Sequence, residues 1–190
     1  ELATRLSYFL WSSLPDAELR RIAGAGELRD PENLAAQTKR LLSDDRVRRL
    51  AIPFGCQWLG VRGFDQLDEK SERHFPDFKD LRGSMYEETI RFFTDLFQAD
   101  GPLLSLLDAN HTFVNAELAN FYGLTVPETT ETWFQVSDVN QAGRGGILGF
   151  ATTLAKQSGA SRTSPILRGN WISETLLGER LPKPPRDVPQ

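Results

Sequence analysis

A chain of 190 residues with 39% apolar and 10% aromatic content has the material for a real core, as one domain or as two small helical lobes sharing a surface. Its 22 Lys and Arg against 26 Asp and Glu give a net charge of -4, which excludes a general nucleic-acid binder and the clustered cationic surplus that phosphate contacts demand. No apolar run approaches the roughly 20 residues that cross a bilayer, and the one cysteine, Cys56, excludes an internal disulfide and a multi-cysteine metal site.

Nearly every periodic segment reads as helix. In LATRLSYFLW, Leu2, Leu6, Phe9 and Leu10 fall on one helical face, so the chain is expected to begin inside or at the edge of a helix, as a piece of something longer would. A second helix is expected from about Asp16, with Leu19, Ile22 and Ala23 inward and Gly24 and Gly26 as stop signals. Asp30 before Pro31 is an N-cap followed by proline in the first helical position, and Leu34, Thr38, Leu41 and Leu42 mark the buried side of that helix. Asp44 and Asp45 open a further helix with Val47, Leu50, Ala51, Phe54 and Trp58 inward; Pro53 in its middle removes one hydrogen bond and predicts a kink or break. A long helix from about Asp77 to Gln98 carries Leu81, Met85, Thr89, Phe92, Phe93 and Leu96 on its core face.

After the turn Asp100–Gly101–Pro102, a short helix ends near Asp108, and Asn115 caps another in which Leu118, Phe121 and Tyr122 bury and Gly123 is the left-handed terminator. ETTETWFQVSDV is the only plausible extended piece, and one strand cannot make a sheet. RGGILGFATTLAKQS starts a helix behind two glycines, Ser164 to Leu177 forms the last one, and residues 182–190 read as an extended proline-rich linker. The expected architecture is all-α: an irregular domain of about seven to eight helices with at most one short extended segment.

Signatures of common enzymes do not stand in this sequence: there is no G-x-S-x-G, no H-E-x-x-H, no phosphate loop and no G-x-G-x-x-G. Cys56, between Phe54 and Trp58, reads as a buried apolar residue, and no C-x-x-C-H surrounds it. His74 reads as solvated in a charged loop and His111 as a turn residue, while the adjacent Glu87 and Glu88 point in different directions on their helix. Two stretches have the chemistry of an anion site. Arg144, Gly145 and Gly146 stand at a helix start where glycines permit close approach, of a ligand or of another helix. In RTSPILRGNWISETLLG, Thr163 or Ser164 caps the helix, Pro165 suits its first turn, and Ile166, Trp171, Ile172, Thr175 and Leu176 form a mostly apolar stripe. Arg162 and Arg168 remain, because they add positive charge where the helix dipole is already positive. An internal carboxylate or a bound anion should answer them.

RLSYFLWSSLPDAEL, FGCQWLG, FPDF, DANHTFVNAELANFYGL, RGGILG and RTSPILRGNWISETLLGERLPKPPRDVP, in this order, resemble two neighbouring domains of unknown function found in large exported cytochrome-c-like proteins of the planctomycete type. The first resembles residues 1–124; the second begins in the segment before RGG, giving expected domains 1–124 and 125–181, the second packed on the first. Pro53, where the family usually has a helix former, and His111, where it tends to have an aromatic, depart from the pattern. The resemblance implies a periplasmic or cell-envelope location and a c-type haem in adjacent parts of the parent protein, with no cofactor or metal in this segment. It implies a non-catalytic helical scaffold partnered by haem c domains of the same polypeptide. The other reading of the residues is an enzyme or a domain binding an anion or polysaccharide near RGG and RTSP, with Trp133 or Trp171 as aromatics for a sugar.

Overall fold

The computed structural model describes residues 1–128, 131–180 and 182. The fold is mostly helical, and its chain order is α1 (Leu2–Trp11), α2 (Ala17–Gly24), α3 (Pro31–Leu42), α4 (Arg48–Leu50), α5 (Phe78–Gln98), α6 (Ser105–Asp108), β1 (His111–Val114), α7 (Ala116–Tyr122), β2 (Phe134–Ser137), α8 (Gly146–Gly149), α9 (Ala151–Lys156) and α10 (Pro165–Trp171). The expected caps are in place: Asp16 accepts from the Leu19 amide, Asp30 from Glu32 and Asn33 ahead of Pro31, and Asn115 from Leu118, with Gly123 left-handed at the end of α7. The proline-rich segment 182–190, apart from Pro182, lies outside the described residues.

Two clusters of buried side chains organise these elements. The smaller gathers Leu10, Trp11, Leu19, Ile22, Leu28, Leu41, Val47 and Leu50 from the first 50 residues. Trp11 is its pivot: the indole donates to the Leu41 carbonyl at 2.8 Å, and the Arg46 guanidinium lies 3.4 Å from the ring centroid. That anchor turns α1 so that Ala3, Ser7, Leu10 and Trp11 face inward, and Leu2 and Phe9, expected inside, are exposed. The larger cluster runs from Ala51 to Trp171 and is built around α5, whose Leu81, Met85, Ile90, Phe92 and Phe93 are buried; Phe97 touches both clusters.

Pro53 neither breaks nor sharply ends its helix. Having no amide to donate, it sits in a π turn, Ala51–Cys56, through which the helix continues from α4. The extra residue in that turn shifts the helical phase, so Gly55 and Cys56 face the core, while Phe54 and Trp58, expected there, are exposed. Gly55 lies flat on Phe93; a Cβ built on it would stand 2.6 Å from the ring.

The extended segment has a partner. β2 pairs antiparallel with β1, with His111 opposite Ser137 and Val114 opposite Phe134. His111 is therefore a strand residue rather than a turn residue; its ring stacks on Phe92 at 5.5 Å, and Nε2 is 3.6 Å from the Asp95 carboxylate. Two further helices differ from expectation. The helix after RGG is split at Phe150, whose ψ of 136° leaves the helical region, and the last helix passes from α10 into a π turn, Ile172–Leu176. Of the apolar stripe on α10, Trp171 is buried, with its indole donating to the Leu59 carbonyl at 3.1 Å, whereas Ile166 is 83% exposed and Ile172 is also exposed. Phe121, expected inside, is exposed on α7 beside buried Tyr122.

The tight contact at Gly55 gives a stability test. Gly55→Ala forces Phe93, 1% exposed, out of its packed position, and overpacking of this kind costs about 1–3 kcal/mol. Urea denaturation should show that loss, and Gly55→Ala with Phe93→Leu should lose less than the sum of the two single variants.

Candidate functional site

One cleft, of about 290 Å³, brings together side chains from both halves of the sequence. The loop before α5 supplies Lys70, His74, Phe75 and Asp77; α5 supplies Phe78 and Met85; and α7 supplies Phe121. Opposite them stand Arg144, then Ala151, Leu154 and Ala155 from α9, then Ser158, Thr163 and Arg168. The floor is apolar and the rim is cationic, with three Lys or Arg side chains against one carboxylate, Asp77.

Local hydrogen bonds hold this rim. Lys70 Nζ donates to the Ser158 carbonyl at 2.9 Å, to Ser158 Oγ at 3.2 Å and to the Gly159 carbonyl at 3.1 Å, and the Ser71 amide donates to Ala160. Ser158 and Thr163 form a bridge across the turn, closed by the Gly159 amide on the Arg162 carbonyl. Burial pushes the Lys70 pKa down, with the charge of Lys156 acting the same way and that of Glu69 opposing it. Ser164 caps α10 by accepting from the Leu167 amide. Arg168 projects from α10 with Nε buried and without a hydrogen-bond partner.

Behind Arg144 lies Glu88, one of the two adjacent acids expected to point in different directions on their helix. Glu88 on α5 is fully buried, and its two carboxylate oxygens accept from Thr112 Oγ1 and from Tyr122 Oη, each at 2.6 Å. Arg144 lies over the Tyr122 ring at 4.0 Å and donates to the Gly149 carbonyl at 3.1 Å. Burial pushes the Glu88 carboxyl up to about 7, against the opposing hydrogen bonds of Thr112 and Tyr122 and the charge of Arg144. Burial also raises the Tyr122 hydroxyl. Glu87, its neighbour, points the other way and pairs with Arg48 and Arg91. Seven residues separate Leu81 from Glu88, so the core-face spacing of α5 already contains this acid.

The candidates from the sequence divide into two groups. Arg144, Thr163 and Arg168 line the cleft. Gly145 and Gly146 serve contact with α6: a Cβ on Gly145 would stand 2.3 Å from the Ala109 carbonyl oxygen, and one on Gly146 would stand 2.6 Å from that of Leu107. Carbonyl oxygens occupy the space that an anion would need, and the positive φ of both residues fits glycine. Arg162 is exposed, Ser164 caps a helix, and neither Arg162 nor Arg168 has an ion pair among the described residues. Of the two expected answers, an internal carboxylate or a bound anion, no carboxylate pairs with them among the described residues. Trp171 is buried, and Trp133 lies beneath the Arg91 guanidinium at 4.9 Å, so neither offers a free face for a sugar. Cys56 is buried, as expected, and its thiol is pushed up to about 12 by burial. Among the described residues no group of three or more His, Cys, Asp or Glu could hold a metal ion, and no helix is long and apolar enough to cross a membrane.

Residues 1–124 match the family model described as PSD4, a protein of unknown function (DUF1592), and residues 144–190 match the one described as PSCyt3, a protein of unknown function (DUF1588). Neither a curated protein nor a solved structure matches the chain.

The buried acid makes stability depend on pH. The unfolded chain releases this proton near 4.5 and the folded one near 7, so between those values the folded state binds more protons and stability falls as pH rises. The loss is complete above the folded value and amounts to roughly 3 kcal/mol. Glu88→Gln, whose amide can accept from one hydroxyl and donate to the other, should flatten the unfolding free energy between about pH 4.5 and 7; persistence of the wild-type slope would assign it to another group.

Proposed function

Because the chain belongs to the PSD4 family of proteins of unknown function (DUF1592), we propose that it is a helical scaffold module of a larger, envelope-located c-type cytochrome-like protein. In this reading it supports electron transfer or partner binding by holding haem c domains of the same polypeptide in place, and it carries no cofactor itself. The observation that supports it best is the shared core. Ile147, Phe150, Ala151 and Trp171, within the segment matched to the second family, lie in one buried cluster with Phe92, Phe93, Leu118 and Tyr122 from the first. A core shared by the two matched segments suits a rigid spacer, which is what redox centres held at a fixed separation require. The Thr89 and Thr152 hydroxyls, bonded at 2.8 Å in that core, and Trp171 on the Leu59 carbonyl fix the same interface with directional bonds.

A second reading, that the module also holds an anionic ligand, is favoured by one observation: Arg144, Thr163 and Arg168, from stretches far apart in sequence, face a common cleft without a carboxylate of their own.

The scaffold reading is tested on the parent polypeptide. Expressed with its flanking sequence in a host that matures c-type cytochromes, it should fractionate with the cell envelope and give a c-type pyridine haemochrome spectrum. A cytoplasmic polypeptide without haem would overturn the reading.

A further inference from the structure

We propose that the cleft is a binding site for a small amphipathic carboxylate with a flat apolar or aromatic body, in which Arg168 grips the carboxylate and Phe75, Phe78, Phe121 and Met85 hold the body. The inference rests on the ligand-binding reading and names its substrate class.

The three cations of the rim are not equivalent. Lys70 has all three of its donors on protein oxygens, at Ser158 and Gly159, so it contributes a field but no hydrogen bond to spare. Arg144 is committed through its face to Tyr122 and through Nη1 to the Gly149 carbonyl. Arg168 differs: its Nε is buried without a partner in the folded protein, although it borders the cleft. That Nε is closed off, but neither terminal nitrogen of Arg168 is paired among the described residues, and a guanidinium can present those two nitrogens together to both oxygens of a carboxylate. A planar anion with two oxygens fits that edge. Lys70 and Arg144 make the surrounding field favourable, against Asp77 on the cleft lining and Glu69 and Glu88 behind it.

The rest of the cleft selects the body. Phe75 and Phe121 are 38% and 47% exposed and border the cleft, and Met85, Ala151 and Leu154 line it with them. Exposed aromatics converging on a concave apolar floor favour a ring or a short branched chain over a sugar or a bare inorganic ion. A volume near 290 Å³ lies at the lower end for ligand pockets and limits the body to one or two rings.

The test is calorimetric titration of the folded chain with 1-naphthoate, inorganic phosphate and uncharged 1-naphthylmethanol, each at low and high salt. The expected result is saturable 1-naphthoate binding that weakens with salt, with the alcohol and phosphate each at least tenfold weaker. Arg168→Lys keeps the charge but loses the fork, and Arg168→Gln loses both; each should weaken 1-naphthoate at least tenfold with the melting curve preserved. Phe121→Ala, at an exposed position, should weaken 1-naphthoate and leave phosphate unchanged. Phosphate binding as tightly as 1-naphthoate, with sensitivity to Arg168, would overturn the aryl-carboxylate class while sparing an anion site. No saturable binding of any anion, or binding indifferent to Arg168 substitution, would overturn both.

Discussion

The carboxylate of Glu88, closed off from water between Thr112 and Tyr122, is the interaction on which the larger half of this fold depends. It ties the middle of α5 to the first strand and to α7 through two short hydrogen bonds, and Tyr122 passes the connection on to Arg144, which reaches the Gly149 carbonyl. One acid thus joins α5 to the β1–α7 stretch and, through Tyr122, to the stretch from Arg144 to Gly149. A buried carboxylate is an expensive way to make such a joint, and a hydrocarbon side chain would pack there at lower cost. A hydrocarbon would fix no direction, however, whereas two hydroxyl donors determine the rotation of α5 about its axis. That rotation sets Met85 and Phe78 on the floor of the cleft and Phe93 against Gly55.

The sequence was informative where structure is local. Caps at Asp16, Asp30 and Asn115 and the terminator at Gly123 depend on a side chain or a backbone angle within a few residues, and each is found where the pattern puts it. It was less informative where a distant partner decides. Leu2 and Phe9 satisfy helical spacing as well as Ala3 and Leu10 do; Trp11, anchored on the Leu41 carbonyl 30 residues away, selects the second set. The strand at residues 111–114 carries Thr, Phe and Val, all good strand formers, but without its partner strand a four-residue run is indistinguishable from a turn. Glu88 sits on the core spacing of α5, seven residues after Leu81, but adjacency to Glu87 shows only that the two acids diverge, and a carboxylate is seldom found buried among Phe and Met. The π turn at Pro53 shows a further limit: a helix can continue through a proline and still change which residues face inward.

The same distinction separates the two arginines that helix chemistry alone left unexplained. Arg162 is exposed, and its backbone carbonyl, not its charge, holds the turn together. Solvent screens such a charge, so its position near the start of α10 costs little. Arg168 is half-buried, its Nε is out of reach of water, and the start of the helix that carries it is already positive. No ion pair among the described residues offsets that arrangement, and of the charged groups that line the cleft Lys70 and Arg144 add to it while Asp77 opposes it. A fold under selection for stability alone would place a neutral side chain at 168. The fold instead keeps a cation without an ion pair among the described residues beside an apolar cleft, which is the arrangement that the proposed carboxylate site requires.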